Sequence, residues 1–285
     1  MREGKPSFTA AAVAAARGVA RIDPLAMALV DGPLSLVMRV GRLGRASAAA
    51  VNVATLGLVD HIEMRTLAID AALREAVEAG VHQLVILGAG LDARAWRMPE
   101  LAETRVYEVD HPSTQAYKRA RMGARSPAAK EVRFVAVDFA KDSLQAAMQE
   151  AGHDTTAPTF WLWEGVTPYL PLEAIRATLH AVASRSAKGS RIAVTYGTPQ
   201  GSPLGATAVR AARLAFRAIG EALVGLLSPE AMHEELTTVG YRLLEDLSAE
   251  DWGARFGGGQ RRFLFVDEHL AVAVSDGPLR ASRAA

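Results

Sequence analysis

Short runs of apolar residues recur along the chain from about residue 83 onwards, with longer stretches of helical spacing between them. Runs such as LVIL (84–87) and RIAVTY (191–196) are typical of strands that are buried on both faces of a parallel sheet. The pattern predicts strands over residues 83–87, 105–110, 132–139, 159–163, 191–196, 241–246 and 262–274.

Helices are predicted between these strands, over residues 113–121, 143–151, 172–185, 207–227 and 229–238. The region before about Gly80 is rich in Ala and Arg, and it is predicted to be helical because alanine has the highest helix propensity. Repeated alternation of strand and helix predicts a doubly wound α/β sheet. Right-handed crossovers then bring the carboxyl ends of the parallel strands to one edge of the sheet.

We expect one compact domain with two parts, a helical cap over residues 1–80 and an α/β part over residues 81–285. A helical insertion at about 200–235 is predicted to cover the substrate as a lid. Core packing explains its apolar positions equally well, namely Leu214, Phe216, Ile219, Leu223 and Leu226. The loop GGGQRR at 257–262 offers arginines for an acidic substrate or simply forms a solvated hairpin loop.

Composition excludes several classes of protein. Half of the 285 residues are apolar and none is cysteine, which excludes a disordered chain, a disulfide scaffold, a cysteine nucleophile and an iron–sulfur site. The seven histidines show no ligand spacing, so no metal is expected. The net charge of +1 gives no electrostatic footprint for a nucleic-acid partner, so none is expected. No membrane partner is expected either, and the oligomeric state is left open.

The N-terminal segment is the only candidate for a targeting signal. The run 10–16 is too short and too weakly apolar for a signal sequence, and no stretch approaches the ~18 apolar residues that span a bilayer. We therefore expect an N-terminal helix that packs on the body of a soluble, cytoplasmic protein.

Glycines and carboxylates follow four consecutive predicted strands. Gly88-Ala89-Gly90 follows the first strand, Glu108 and Asp110 end the second, Asp138 ends the third and Glu164 follows the fourth. In open α/β sheets, ligands bind beyond the carboxyl ends of the strands. The sequence therefore predicts a ligand site at this edge.

The spacing of these residues is typical of an adenosine-binding site. Gly88-x-Gly90 permits a tight turn and a close approach of the backbone to a ligand. Asp110 and Glu108 lie 20 and 18 positions after Gly90, and a carboxylate about 20 residues on can accept both ribose hydroxyls. We rank Asp110 before Glu108, and a turn or capping role before Pro112 is the alternative for Asp110.

A dinucleotide and S-adenosylmethionine both fit this pattern. Asp92 lies in the loop where a pyrophosphate would pass, and it would repel that group, whereas it suits a ligand with an ammonium and a sulfonium. Arg94 and Arg97 partly offset this argument. A nicotinamide-dependent oxidoreductase and a non-catalytic cofactor-binding protein therefore remain as alternatives.

Several motifs resemble the leucine carboxyl methyltransferase family. They are VHQLVILGAGLDARAWRMPE (81–100), RVYEVDHPSTQAYKR (105–119), VRFVAVDF (132–139) and PTFWLWEGVTPYL (158–170). HIEMRTLAID (61–70) and AAVAAARGVARIDPLAMALV (11–30) resemble segments nearer the N-terminus of the family. The likeness spans most of residues 9–200 and is closest to a bacterial branch of S-adenosylmethionine-dependent O-methyltransferases, found in mycobacteria and in polyketide pathways.

The resemblance implies a class I methyltransferase-like, Rossmann-like fold with a mostly parallel seven-stranded sheet, and S-adenosyl-L-methionine as cofactor. It implies that Arg65 holds the methionine carboxylate and that the Gly88–Gly90 loop, Ala89 included, lies under the methionyl group. Asp110 would bind the ribose, while Asp138 and the backbone of Phe139 would bind adenine. Most members of the family have leucine after this aspartate.

Glu164 and Tyr169 match positions near the reacting end of the cofactor, with capping of the following turn as the alternative for Glu164. Trp161, Trp163 and Tyr169 are expected to form core and pocket walls, and His61, His82 and His180 to be ordinary structural positions. No catalytic residue is singled out. A carboxylate acceptor needs no general base, because it is ionised at neutral pH.

A phenol acceptor would benefit from a base, for which Glu164, His111, His153 and His233 are candidates. The predicted substrate is a small molecule, bulky and apolar, with a carboxyl or phenol group, such as a polyketide or other secondary metabolite.

Overall fold

The computed structural model describes residues 7–139, 141–199, 222–257 and 267–277, together with positions 210, 214 and 217. Its centre is a seven-stranded sheet in the order β3-β2-β1-β4-β5-β7-β6. The strands are β1 Gln83–Leu87, β2 Arg105–Asp110, β3 Glu131–Ala136, β4 Thr159–Trp163, β5 Arg191–Gly197, β6 Tyr241–Ser248 and β7 Glu268–Ser275. β1 to β5 are parallel, whereas β7 pairs antiparallel with both β5 and β6.

Helices fill the chain before the sheet, as the alanine-rich sequence predicts. They are α1 Phe8–Ala20, α2 Ala26–Leu29, α3 Gly32–Gly41, α4 Arg45–Ala54 and α5 Leu58–Glu78. α1 is capped by Ser7, whose side chain accepts a hydrogen bond from the backbone N–H of Ala10. Its alanine face is buried at Ala14, Ala15 and Ala16, so α1 packs on the body of the protein as predicted.

The helices of the α/β part are α6 Arg94–Arg97, α7 Pro112–Met122, α8 Leu144–Glu150, α9 Leu172–Ser184, α10 Pro229–Thr238 and α11 Ala249–Trp252. Three hydrophobic cores result. One face of the sheet packs with α9 and α10, the other with α5, and a third core holds α1, α2, α3 and the start of α5 together. Within the predicted cap, α1, α2 and α3 share a core of their own, whereas most of α5 packs on the sheet as a layer of the α/β sandwich. Within the described part of the chain, no helix is long and apolar enough to cross a bilayer.

Three predicted elements differ in the structure. The strand predicted over 132–139 ends at Ala136, because its partner β2 ends at Asp110 after a last hydrogen bond from Val137 N–H to the Asp110 carbonyl (2.9 Å). The strand predicted over 262–274 is β7, and positions 262–266 lie outside the described residues. The third difference concerns the predicted lid.

The helix predicted over 207–227 is not continued in its described end, residues 222–227. Val224 and Gly225 there donate their backbone N–H groups to the Pro168 carbonyl at 2.8 and 3.0 Å, and Leu227 donates to Gly197. A Cβ at Gly225 would meet the Thr167 carbonyl oxygen at 2.1 Å, so only glycine permits this approach. Positions 210, 214 and 217 are helical, and the remainder of 200–221 lies outside the described residues.

The predicted helix 229–238 is α10, and its Met232 and Leu236 are buried in the core between α9 and β6. This end of the predicted insertion therefore belongs to the sheet layers.

Candidate functional site

A cavity of about 1240 Å³ opens at the carboxyl edge of β1, β2 and β4. Its wall combines α1, α5, the loops after four strands and the segment 222–224. It contains the predicted residues Arg65, Gly88, Ala89, Gly90, Asp110, Asp138, Phe139, Glu164 and Tyr169. The structure therefore brings together every predicted site residue except Glu108.

The glycine loop is held by strand β2. Gly88 and Ala89 donate their N–H groups to the Val109 carbonyl at 2.8 and 3.0 Å, and Gly90 donates to Asp110 Oδ2 at 2.5 Å. Gly88 has φ +67°, and a Cβ there would lie 2.6 Å from Val166 Cγ2. Both the conformation and the space at this position require glycine.

Asp110 and Glu108 occupy different depths of β2. Asp110 lies at the tip, lines the cavity and accepts the N–H of Gly90 and, at 2.6 Å, that of His111. Burial raises the pKa of Asp110, and these two hydrogen bonds partly offset the shift. Glu108 lies two residues, about 7 Å, further back along the strand.

Glu108 is outside the cavity lining and 1% exposed. There it pairs with Lys118 of α7 at 2.6 Å. Burial raises the pKa of Glu108 to about 7, although Lys118 opposes the shift. Glu108 is thus part of the contact between β2 and α7.

Asp138 and Phe139 line the next part of the cavity. Asp138 Oδ2 forms an ion pair with Lys141 Nζ at 2.9 Å, and the backbone N–H of Asp138 donates to Asp142 Oδ2 at 2.8 Å. Phe139 is 40% exposed at the same wall. This loop therefore places the Asp138 carboxylate and Phe139 at the same wall of the cavity.

Glu164 lies at the centre of a buried cluster of charges. Its Oε1 accepts from Arg17 Nη2 at 2.6 Å and from Arg65 Nη2 at 3.0 Å, and its Oε2 accepts from Arg94 Nη1 at 2.8 Å. Burial alone would raise the pKa of Glu164, but Arg17, Arg94 and Arg65 hold it well below the usual range. Glu164 is therefore a fixed carboxylate and a poor proton acceptor.

The cluster continues on both sides of Glu164. Arg65 Nη1 donates to both oxygens of Glu268 at 3.0 Å, and His61 Nε2 lies 2.6 Å from the same carboxylate. Burial opposes ionisation of Glu268, but Arg65 and then His61 outweigh it and lower its pKa to about 2. On the other side, Arg94 contacts Asp92 and Asp70.

The first three residues of the glycine loop use their backbone N–H groups within the protein. The N–H groups of Gly88, Ala89 and Gly90 are bonded within the protein, and Asp92 Oδ1 accepts from the N–H of Arg94 at 2.7 Å at the start of α6. A dinucleotide needs such groups free to bind its phosphates. The geometry thus supports the interpretation of Asp92 as unfavourable to a dinucleotide.

The four candidate bases are distributed over the molecule. Glu164 and His111 line the cavity, and His111 Nδ1 lies 2.8 Å from Ser113 Oγ. His153 lies at the opposite edge of the sheet, bonded to Thr159, and burial lowers its pKa to about 4. His233 pairs with Asp246 at 2.6 Å away from the cavity.

The structure adds site residues that sequence reasoning did not select. Arg17, Glu268 and Asp142 line the cavity, as do His61 and His180, which had been predicted to be ordinary structural positions. Arg17 and Glu268 stand alone in sequence, so no local motif marks them. Trp161 and Trp163 are core residues, as predicted, and the loop 258–262 lies outside the described residues. Within the described residues, no cluster of three metal-ligating side chains occurs.

The fold is that of class I methyltransferases. A DUF574 family protein from Streptomyces avermitilis superposes with a TM-score of 0.65 at 17% identity, covering 95% of this chain and 98% of that one. A protein from Thermobifida fusca described as a candidate methyltransferase gives a TM-score of 0.61 at 17% identity, covering 96% of both chains. At this identity the likeness shows the fold alone.

Sequence comparison identifies the family. The leucine carboxyl methyltransferase model matches residues 8–183, and the chain belongs to this family. A relative from Mycobacteroides abscessus, named as a candidate S-adenosyl-L-methionine-dependent methyltransferase, is 40% identical over 206 residues. A similarly named relative from Mycolicibacterium smegmatis is 41% identical over 200 residues. These alignments cover 68% and 66% of this chain, and 65% and 64% of the relatives' length.

Proposed function

We propose that this protein is an S-adenosylmethionine-dependent O-methyltransferase that forms a methyl ester on a carboxyl group of a bulky, largely apolar small molecule. The observation that carries this proposal is the charge of the cavity wall. Its described residues include six carboxylates and two arginines, and both arginines already pair with carboxylates. Such a wall favours a cationic sulfonium and disfavours a pyrophosphate.

The fit to S-adenosylmethionine can be followed group by group. Asp110 at the tip of β2 supports ribose binding, and Asp138 with Phe139 supports adenine binding. Arg65 on α5 is the proposed partner of the methionine carboxylate, because a planar guanidinium suits that anion. The relatives' names support the same cofactor.

The nature of the acceptor is inferred from what the site lacks. Among the described lining residues, Glu164 is held ionised by three arginines, and His111 Nδ1 contacts Ser113. Glu164 is therefore a weak base for a phenol, whose pKa is about 10, and His111 Nδ1 already accepts the N–H of Ser113 at 3.2 Å. A carboxylate arrives ionised and attacks without a base, in agreement with the family description.

When bound, S-adenosylmethionine supplies an electrophilic methyl group. The residues of this chain bind and orient the two reactants, which can contribute up to ~7–11 kcal/mol through proximity alone. The cavity of about 1240 Å³ exceeds the ~300–1,000 Å³ of a usual ligand pocket, so a bulky acceptor fits beside the cofactor. Val13, Leu58 and Ile62 offer it an apolar wall.

Calorimetric titration tests the cofactor. S-adenosylmethionine should bind and NADH should not, and Asp110→Ala should weaken binding by about 1–3 kcal/mol, because ribose hydroxyls lose their acceptor. Asp31→Ala is the control, since Asp31 is exposed, pairs with Arg121 on the surface and does not line the cavity. Binding of NADH alone would identify an oxidoreductase.

The acceptor is tested separately, by measuring S-adenosylhomocysteine release with matched series of carboxylic acids and phenols. Carboxylic acids should be turned over, with kcat flat from about pH 6 to 9 because no base titrates. Turnover of phenols with a basic limb would establish the hydroxyl alternative. Binding without release for any acceptor would indicate a non-catalytic cofactor-binding protein.

A further inference from the structure

Two neighbouring helices of the cap carry large apolar side chains in solvent. On α3 and just after it, Leu36, Val40 and Leu43 are 64%, 45% and 79% exposed, and on and after α4, Val53 and Leu56 are 74% and 39% exposed. We call these five residues the α3–α4 surface. Leu36 and Val40 are four residues apart on α3 and share one face, and Leu43 lies in the turn that follows the helix.

Packing within the chain does not explain this surface. α3 directs Met38 and Gly41 inward, where a Cβ at Gly41 would meet Val19 of α1, and its opposite face is left in solvent. No residue of α4 is fully buried. Adjoining apolar side chains of this size on a protein surface mark a site of interaction.

The charges around the surface indicate an anionic partner. Between Asp31 and Asp60 the chain carries three arginines, Arg39, Arg42 and Arg45, and no acidic residue. Arg39 and Arg45 are exposed, while Arg42 donates to the Gly18 carbonyl at 2.9 Å. A symmetric contact with a second copy would bring like charges together, so self-association through this face is disfavoured.

The α3–α4 surface is close in sequence to residues of the cavity wall. Leu56 is exposed, whereas Leu58, two residues on, lines the cavity. Phe8 is 58% exposed, and its neighbour Thr9 lines the same cavity.

We propose that the α3–α4 surface docks the protein reversibly on anionic lipid bilayers. Short amphipathic helices with apolar residues on one side and arginines at the flanks lie in the membrane interface in this way. The whole-chain charge of +1 averages over this local basic segment, so the expectation of no membrane partner would be wrong for this surface. The proposal concerns a surface outside the methyl-transfer site and does not depend on that activity.

Vesicle flotation tests the proposal with the full chain. The protein should float with phosphatidylcholine–phosphatidylglycerol vesicles and remain behind with pure phosphatidylcholine, and raised salt should release it. The double variant Arg39→Gln with Arg45→Gln should weaken vesicle binding about 25-fold, because each arginine near an anionic surface contributes about fivefold to the affinity. Leu36→Ser with Leu43→Ser should weaken it tenfold or more.

A matched pair elsewhere serves as the control. Leu244→Ser with Arg255→Gln removes one exposed leucine and one exposed arginine from the β6 region, at 43% and 53% exposure, and should float like the wild type. Circular dichroism verifies that each variant is folded. Failure of the wild type to float, or equal flotation of all variants, would overturn the proposal. A wild-type dimer that Leu36→Ser with Leu43→Ser dissociates, without vesicle binding, would likewise overturn it in favour of a contact between copies.

Discussion

The buried negative charge of the single residue Glu164 is stabilised by ion pairs with arginines. Three arginines contact its carboxylate, and Arg65 and Arg94 each reach a second acidic residue as well. Ion pairs of this kind are stable only while each partner is present, since one removal leaves a buried charge and costs about 3–5 kcal/mol. Substitutions within this ion-paired cluster must therefore keep charge if they are to report on binding.

Arg65→Lys meets that requirement and tests the role of the guanidinium. The variant retains the positive charge and loses the planar donor pair, so affinity for S-adenosylmethionine should fall about tenfold or more. Affinity for methylthioadenosine, which has no carboxylate, should change less than about twofold. Fluorescence or calorimetric titration with both ligands measures the ratio.

Arg74→Lys on the same helix, where Arg74 is 41% exposed and pairs with Glu100, is the matched control. Equal losses for the two ligands would show that Arg65 acts on the structure alone.

His153 should make the protein sensitive to acid. Burial, with Arg185, lowers its pKa from 6.5 to about 4. The unfolded chain therefore binds a proton first, and stability is lost as the pH falls from about 6.5 to 4, by up to ~3 kcal/mol. Urea unfolding at about pH 7 and pH 4.5 should show this loss in the wild type and a smaller one in His153→Gln.

His82→Gln, at an exposed histidine, should behave like the wild type in that experiment. An identical pH dependence in His153→Gln would show that the acid sensitivity has another source.

The carboxylates at strand ends could be predicted from sequence because a local signal marks each of them. Asp110 follows the glycine loop at the spacing expected for a ribose-binding acid, whereas Glu108, with nearly the same spacing, lies under α7. Whether a strand residue reaches the cavity or is covered depends on how the next helix packs, and the spacing of residues in the sequence gives no information about that packing. Arg17 and Glu268 join the site through tertiary contacts alone and carry no local signal.

At the scale of elements, continuous apolar runs predicted the strands well, because a strand buried on both faces needs no alternation. β1, β2 and β4 match their predicted bounds, and α10 matches as well. The prediction was wrong at residues 222–227, where helical spacing of leucines is overridden by hydrogen bonds to the β4 and β5 loops. The spacing of apolar residues gives no information about such competing hydrogen-bond acceptors.

The turn after β1 provides a test at this scale. Gly88→Ala should lower the free energy of unfolding for two reasons, the positive φ of this residue and the contact of the new Cβ with Val166. Gly80 also has a positive φ, +89°, but a Cβ there would meet no atom within 4 Å. Gly80→Ala should therefore show the cost of the positive φ alone. That cost is about 1–3 kcal/mol, and Gly88→Ala should exceed it. Adding Val166→Ala should recover the difference in urea unfolding. No difference between the two glycine variants would contradict the close approach.

For the whole molecule, the cavity joins parts that are distant in sequence. α1 contributes Thr9, Ala10, Val13 and Arg17 to its wall, opposite the strand ends. Sequence predicted the cap and the α/β part as separate segments, but their contact depends on the tertiary packing of α1 on α5. The site is therefore a property of the assembled molecule.

Hydrogen exchange should show this assembly directly. S-adenosylmethionine at 100 times its Kd stabilises the bound state by ~2.7 kcal/mol, and amides of α1 should slow together with those of the Gly88 loop. Amides of α3, which contributes no residue to the cavity wall, are the internal control. Protection confined to the strand-end loops would contradict a role for α1 in the site.

The position of β7 has a consequence for synthesis on the ribosome. β7 lies between β5 and β6, although it follows both in the chain, so the edge of β5 stays open until β7 has been made. Arg65 and His61 also cannot form their ion pairs with Glu268 before then, because Glu268 is the first residue of β7. A nascent chain of this protein therefore cannot complete its cavity before β7 leaves the exit tunnel, and until then β5 has an unpaired edge that can associate with other chains.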